Sequence, residues 1–289
     1  MAKATSKKNN TAAKKELINP SSYAFLKTYI NNASPVGFET SGQKLWLNYI
    51  KQYVDTTFTD AYGTAVGVIN PDAPFKVVIE AHADEISWFV NYINDQGLIH
   101  LKRNGGVDHQ IAPSMRVWIH GKKGPVKAVF GWPAIHTRLS NPEQKEPQPK
   151  VDNLTLDCGA RSKKEVEALG IHIGSVVTYE EGFDELANNF IIGRAFDNRV
   201  GGFMIAEVAR ILKENKKKLP FGLYIVNAVQ EEIGLRGAEM IARRIKPNIA
   251  IITDVTHGTH TPMINKAIEG DIQCGKGPSL AYATAIHNK

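Results

Sequence analysis

The sequence lacks the features that mark secreted, disulfide-stabilised or membrane-spanning proteins. Only two of its 289 residues are cysteine, and Cys158 and Cys274 are too far apart to form a C-x-x-C pair. No apolar run approaches the ~20 residues that span a bilayer, and no apolar segment follows the N-terminal lysines as in a secretory signal. We therefore expect a cytoplasmic protein without a membrane partner.

Unbalanced charge is also scarce, except at one end of the chain. Charged residues make up 22% of the chain, and the formal net charge is +6. Five lysines precede Glu16, so the remainder of the chain is close to neutral. We interpret residues 1–19 as a disordered basic tail. Because aromatic and basic residues do not alternate as in single-strand binders, no nucleic-acid partner is expected.

The chain does contain alternating helix-like and strand-like segments in its first part. Two amphipathic helices are predicted before residue 55, and Ser21 or Ser22 is the predicted cap of the first. The segment FKVVIEAHADEISWFV, residues 75–90, is predicted to be a continuous strand with polar residues towards its end.

The same alternation returns near the C-terminus. Strands are predicted at 222–230 and 249–254, with a helix over 235–245 between them. An earlier helix is predicted from the apolar spacing of Val200, Met204, Val208, Ile211 and Leu212. Alternating strands and helices predict a sheet that is covered by helices on both faces.

Residues 93–187 differ from the segments on either side. They are rich in glycine, proline and short β-like runs, and SKKEVEALG is their one clear helical stretch. We interpret them as an inserted β-rich domain. The predicted fold class is therefore α/β: a three-layer α/β/α domain with a mixed sheet, formed by residues 20–92 and 188–289, plus the insert.

Side chains that bind metals or transfer protons occur where predicted strands end. These residues are His82, Asp84, Asp197, Glu231, Glu232 and Asp254. Each has an ordinary explanation alone, as a core histidine, a helix cap, a turn residue or part of a solvated loop. Carboxylates that converge raise one another's pKa, however, and a divalent cation removes that penalty. Oxygen and imidazole ligands without a thiolate suit Zn²⁺, Co²⁺ or Mn²⁺.

The adjacent pair Glu231 and Glu232 suggests that the two carboxyl groups have different roles. Consecutive side chains of an extended chain point to opposite sides. One glutamate is then free to bind a metal while the other faces a metal-activated water and acts as a general base. The spacing alone does not assign the two roles.

Four of these segments resemble motifs of the M42 family of dinuclear metalloaminopeptidases, which includes the TET aminopeptidases. The segments are EAHADEISWFV, GRAFDNRVGG, VQEEIGLRGA and ITDVT, in this order along the chain. SPVGFE and DAYG are supporting matches, and the resemblance runs from about residue 20 to the end.

The resemblance implies two divalent metal ions per subunit, with Zn or Co expected. His82 and Asp254 would complete one metal site, and Asp197 would bridge the two ions. Glu232 would bind the other ion. The reaction implied is hydrolysis of N-terminal residues from short peptides by a metal-activated water.

The resemblance also implies roles outside the metal-ligand set. Glu231 would be the general base, and Asp84 would orient His82 from behind, as carboxylates often do for ligating histidines. The β-rich insert would be a dimerisation domain that builds a homo-oligomer.

One element of the family pattern has no match in this chain. The family supplies a last metal-ligand histidine near the C-terminus, whereas this chain stops at LAYATAIHNK, and His287 is not in a matching motif. We expect His287 to be a surface residue and the C-terminal part of the metal-binding domain to be missing.

Two alternative functions stay open. One is a non-catalytic assembly partner, because the last ligand has no match. The other is a different hydrolase on the same scaffold, a deacylase or a glycosidase. It ranks lower, since a glycosidase needs two carboxylates around a sugar bond and leaves the metal-ligand residues without a purpose.

Overall fold

The computed structural model describes residues 18–139, 146–180 and 182–281. The predicted tail up to residue 17 and His287 lie outside these ranges. Two larger β structures are present, an open five-stranded sheet and a closed six-stranded barrel. The open sheet is mixed and carries helices, so the α/β prediction with a mixed sheet is confirmed.

The helices of the described residues, in chain order, are α1 (Pro20–Asn31), α2 (Thr40–Ile50), α3 (Ile135–Arg138), α4 (Lys163–Ala168), α5 (Phe196–Glu214), α6 (Arg236–Ile245) and α7 (Lys266–Glu269). The strands are β1 (Thr56–Thr59), β2 (Ala65–Ile69), β3 (Lys76–His82), β4 (Ser87–Ile93), β5 (Ile99–Asn104), β6 (Arg116–Gly121), β7 (Gly124–Gly131), β8 (Thr155–Asp157), β9 (Val176–Tyr179), β10 (Asp184–Glu185), β11 (Ile191–Ile192), β12 (Gly222–Ala228) and β13 (Ile249–Ile252). No helix in the described ranges is long and apolar enough to cross a bilayer.

The open sheet has the strand order β1-β2-β12-β3-β13. β3 lies between β12 and β13 and pairs with both in parallel, whereas β2 is antiparallel to β1 and to β12. The parallel register places Ala228 opposite His82 and Ile252 opposite Glu80. The carboxyl ends of three strands therefore meet at one edge of the sheet.

Helices cover both faces of this sheet. On one face, Tyr29 of α1, Trp46 of α2 and Ile205 of α5 pack into a common core with strand residues. On the other face, Ile241 and Ile245 of α6 pack against the valines of β2 and β12. The predicted three layers follow from this arrangement.

The edge strand β13 is less covered than its neighbours. All four of its residues are exposed, including Ile249, Ile251 and Ile252. Among the described residues, no strand pairs with its outer side. One side of the sheet thus ends in an apolar strand whose outer edge has no partner strand among the described residues, close to Asp254.

The barrel is formed by the strands in the order β4-β5-β8-β7-β6-β9. Its interior is filled by apolar side chains, including Trp88, Phe130 and Leu156. The predicted helical stretch of this region is α4, and the side chain of Ser162 caps it. The barrel accounts for the β-like composition of this part of the sequence.

The segment 75–90 is not a single strand, so that prediction is wrong. β3 ends at His82, and β4 begins at Ser87 inside the barrel. Between them, Glu85 pairs with the loop 34–36: its N–H donates to the carbonyl of Ser34, and its carbonyl accepts from the N–H of Val36. This pairing diverts the chain from the sheet into the barrel.

The predicted cap of α1 is also wrong. Asn19 is the N-cap, and its side chain accepts a hydrogen bond from the N–H of Ser22. Pro20 occupies the first helical position, where a missing N–H costs nothing. Asn19 is therefore part of the helix start and not of the basic tail.

Helix α5 is present, but two of the apolar residues from whose spacing it was predicted lie outside its buried face. Met204 and Val208 are exposed, whereas Ala206 and Ala209 are fully buried. The indole N–H of Trp46 donates to the carbonyl of Gly202, so the side chain of Trp46 on α2 reaches the backbone of α5. Small residues mark this contact face, and hydrophobic spacing alone does not identify them.

Two adjacent residues of α5 test this orientation. Ile205→Ala should lower the free energy of unfolding by about 2–5 kcal/mol, since Ile205 is 2% exposed in the core and truncation leaves a cavity. The matched control Met204→Ala, at a residue that is 52% exposed, should change it by less than about 1 kcal/mol. Urea unfolding of both variants measures the difference. Equal losses would contradict the orientation of the helix.

Candidate metal centre

The candidate centre forms where the three parallel strands end. His82 is the last residue of β3 and is almost fully buried. Glu231 and Glu232 follow β12, and Asp254 follows β13. Asp197 lies at the start of α5, in a turn whose backbone is not yet helical.

His82 is the common member of two groups with metal-ligand spacing. One group adds Glu231 and Glu232, the other adds Asp197 and Asp254, and the donor atoms of each group lie within 4.8 Å of one another. His82 Nε2 lies 3.0 Å from Asp197 Oδ1, 3.7 Å from Glu231 Oε2 and 4.0 Å from Asp254 Oδ1. Five of the six predicted site residues therefore face one space.

The sixth predicted residue, Asp84, lies behind this space and is fully buried. His82 Nδ1 lies 3.2 Å from the Asp84 carbonyl oxygen and 3.5 Å from its Oδ1. The Asp84 carboxylate also accepts hydrogen bonds from the backbone N–H groups of Glu231 and Glu232, at 3.0 and 3.1 Å. One side chain thus contacts the histidine and the turn that carries both glutamates.

The crowded charges shift several pKa values. Burial alone would lower the pKa of His82, but hydrogen bonds to Asp197 and Asp84 raise it to about 11. Burial and the charge of Asp197 raise the pKa of Glu232 to about 7. Burial also raises the pKa of Glu231 and of Asp254. The cluster therefore binds protons at pH 7 that a divalent cation would have to displace.

The donor set fits hard or borderline divalent cations. It offers one imidazole and four carboxylates without a thiolate, which suits Zn²⁺, Co²⁺ or Mn²⁺. Because His82 Nε2 has a single lone pair, the imidazole can bind only one cation. A second cation at this edge would depend on carboxylates.

Three buried acids near the centre were not singled out from the sequence. Glu80 lies on β3 on the same side as His82, and burial raises its pKa to about 7. Glu85 is buried in an ion pair with Arg194. Glu39 is buried and belongs to the SPVGFE segment. The signal available for Glu39 was an acidic residue that directly follows a glycine-containing turn.

The family model of M42 glutamyl aminopeptidases matches residues 63–289. The chain belongs to this M42 peptidase family. Membership agrees with the order of the four motifs, so the resemblance noted from the sequence is confirmed.

The chain is also similar to individual aminopeptidases in sequence and in structure. FrvX of Escherichia coli is 31% identical over 84% of this chain and 67% of its own length. The lysyl aminopeptidase of Pyrococcus furiosus is 29% identical over 92% of this chain and 75% of its own length. A solved aminopeptidase from Desulfurococcus kamchatkensis superposes with a TM-score of 0.81 at 31% identity, over 90% of this chain and 69% of that one. The M42 chain described here thus spans about two thirds of the length of the first relatives it matches.

Metal binding should release protons. At pH 7 the His82 imidazole carries a proton that a metal ligand cannot keep, so Zn²⁺ uptake should release about one proton or more per chain. Zn²⁺ affinity should accordingly rise as pH rises from 6 to 8. Calorimetric titration in two buffers of different ionisation enthalpy measures the release.

His82→Gln is the control for this experiment. Glutamine at this position has no imidazole proton to lose and no imidazole to bind a cation, so Zn²⁺ affinity should fall, and any proton release that remains comes from the carboxyl groups. Proton uptake by the unaltered chain, or an affinity that does not depend on pH, would contradict the assignment.

Proposed function

We propose that the chain acts as a metal-dependent aminopeptidase that removes N-terminal residues from short peptides. Family membership supports hydrolysis of peptides. The single observation that carries the proposal is that His82 and four carboxylates converge at the carboxyl ends of three parallel strands. Ligand sites of open α/β sheets collect at this edge.

The first proposed set of metal ligands is one of the two donor groups, and the second joins Asp197 of that group to Glu232 of the other. His82, Asp197 and Asp254 would hold one divalent cation, and Asp197 with Glu232 would hold the other, with Zn or Co expected. When bound, such cations supply Lewis-acid chemistry, which polarises a carbonyl and makes a water molecule more acidic. Asp197 and Asp254 have half-exposed side chains, so a peptide has access to this side of the cluster.

Glu231 is the proposed general base. Its carboxyl group is partly exposed, and its Oε2 lies on the side of His82 Nε2, at 3.7 Å. Burial raises its pKa and so brings the group closer to the working range of a general base. Glu231 would take a proton from the attacking water and transfer it to the leaving amine.

Asp84 is the proposed positioning group for this pair of roles. It lies at the Nδ1 edge of His82, away from the carboxylates near Nε2, and accepts hydrogen bonds from the backbone N–H groups of Glu231 and Glu232. Because its carboxylate is buried and fully engaged, it orients the imidazole and the turn without contacting the substrate.

Substitutions of the two glutamates should affect kcat and metal content differently. Glu231→Gln should keep its metal and lose ~10²–10⁴-fold in kcat, since the base is gone but the ligands are intact. Glu232→Gln should lose bound metal first, with activity falling in parallel. Hydrolysis of an aminoacyl p-nitroanilide and elemental analysis of dialysed protein measure both effects.

Glu239→Gln is the control, because Glu239 lies exposed on α6 and pairs with Arg243. It should leave kcat and metal content unchanged. Chelation should abolish hydrolysis in the unaltered chain, and Zn²⁺ or Co²⁺ should restore it. Full activity of Glu231→Gln would refute the base assignment, and a chain that binds no metal and releases no amino acid would favour the assembly-partner hypothesis.

We also propose that the chain forms a homo-oligomer through the barrel and works in the cytoplasm. Large apolar side chains are exposed on the barrel, among them Ile111, Ile135 and Ile173. Exposed apolar surface of this kind is common where subunits meet.

Light scattering tests the oligomeric state directly. The expected mass is a multiple of 31.9 kDa. Ile135→Lys should shift the mass towards one chain, because a charge would replace an apolar contact, whereas Glu167→Lys, an exposed change on the same domain, should not. A single-chain mass for the unaltered protein would contradict the proposal.

A further inference from the structure

The backbone N–H groups of the turn that carries the two glutamates are bonded to side chains and not to neighbouring strands. Three consecutive backbone N–H groups, those of Gln230, Glu231 and Glu232, donate to carboxylates. Asp84 accepts the last two. The first donates to Oε1 of Glu39 at 3.2 Å. Two buried carboxylates from distant parts of the chain thus fix three successive amides.

The side chain of Glu39 does not cap the helix at whose N-terminus it lies. Glu39 is the N-cap residue of α2, yet its side chain makes no capping hydrogen bond to the helix. Its Oε1 instead accepts from the N–H of Gly37 at 2.7 Å as well as from Gln230. Glu39 is only 5% exposed, so solvent cannot replace these bonds.

The residue that Glu39 holds has an unusual backbone. Gln230 has a φ of +55°, in the left-handed region that residues other than glycine seldom adopt. Such a conformation persists when surrounding contacts over-determine it. The hydrogen bond from the N–H of Gln230 to Glu39 is one such contact, one residue before Glu231.

We propose that Glu39 is a positioning residue that fixes the Gln230 turn and thereby sets the direction of the Glu231 carboxyl group. The proposal rests on the proposed role of Glu231. Glu39 contacts neither substrate nor metal in this assignment. Asp84 accepts hydrogen bonds from the backbone N–H groups of the two glutamates. Glu39 accepts one from the N–H of Gln230, the residue that precedes them in the chain.

The direction of a general base affects rate far more than substrate affinity. A misplacement of ~1 Å can cost ~10²-fold in rate even when all reacting groups are present. Loss of the Glu39 acceptor should therefore act on kcat and leave KM and metal content almost unchanged. A purely structural role would lower thermal stability without this pattern.

Three substitutions test the acceptor, and the first two separate its effect from that of the charge. Glu39→Gln keeps a carbonyl oxygen at the Oε1 position, so its kcat should stay within ~3-fold of the unaltered chain. Glu39→Ala removes the acceptor and should lower kcat by ~10–100-fold, with KM within ~2-fold. Glu39→Asp draws the carboxylate back by one methylene group and should fall between them; it also serves if Glu39→Ala does not fold.

Hydrogen exchange provides a readout that does not need catalysis. In the folded protein, Glu39→Ala should speed amide exchange of the peptide that contains Gln230, while Glu39→Gln should not. Glu165→Ala is the matched control, because Glu165 also accepts a backbone N–H, that of Arg161, but on the barrel. It should change neither exchange in the 230–232 turn nor kcat.

The outcomes distinguish this inference from the proposed function. An inactive unaltered chain would contradict the peptidase proposal, and exchange at the turn would still test the contact to Glu39. Equal loss of kcat in Glu39→Gln and Glu39→Ala would overturn the inference, because charge and not the acceptor would then matter. Unchanged exchange and unchanged kcat in Glu39→Ala would overturn it as well.

Discussion

The parallel pairing of β3 with β12 and β13 is the constraint on which the rest of the site depends. Backbone hydrogen bonds hold Ala228 opposite His82 and Ile252 opposite Glu80. β3 therefore ends at the same edge of the sheet as β12 and β13, which are more than a hundred residues away in the chain. The side chains that follow the strand ends therefore lie in one small volume, whatever their charge.

That enforced proximity explains the electrostatics of the centre. Carboxylates repel one another, and burial adds to the cost of their ionised forms. The response is visible in the raised pKa values of Glu232 and Asp254 and in a His82 imidazole that holds its proton. A cation would relieve this crowding, so an arrangement that is unfavourable for the fold alone is consistent with the metal-dependent activity proposed above.

Around the centre, buried acids connect loops that the strands do not reach. Glu85 joins the loop 34–36 to Arg194, and Glu39 joins the same region to Gln230. The barrel also reaches the site: a Cβ added to Gly105, whose φ is +84°, would lie 3.2 Å from Cβ of Glu232. The glycine lets a barrel loop approach the glutamate turn closely, so the barrel contributes to the shape of the site.

Much of this was predictable from local pattern. Apolar runs followed by His82, Glu231 or Asp254 indicate strands that end in ligand-type residues, and strand alternation with helices indicates a layered sheet. The sequence alone determined the α/β class, the β-rich middle and the set of residues at the strand ends, because each depends on neighbours along the chain. Only the tertiary structure decided that residues 83–86 leave the sheet, that small residues of α5 face the core, and that Glu39 holds the turn before Glu231. Those features depend on contacts between segments far apart in the chain, and the spacing of residues along the chain does not predict such contacts.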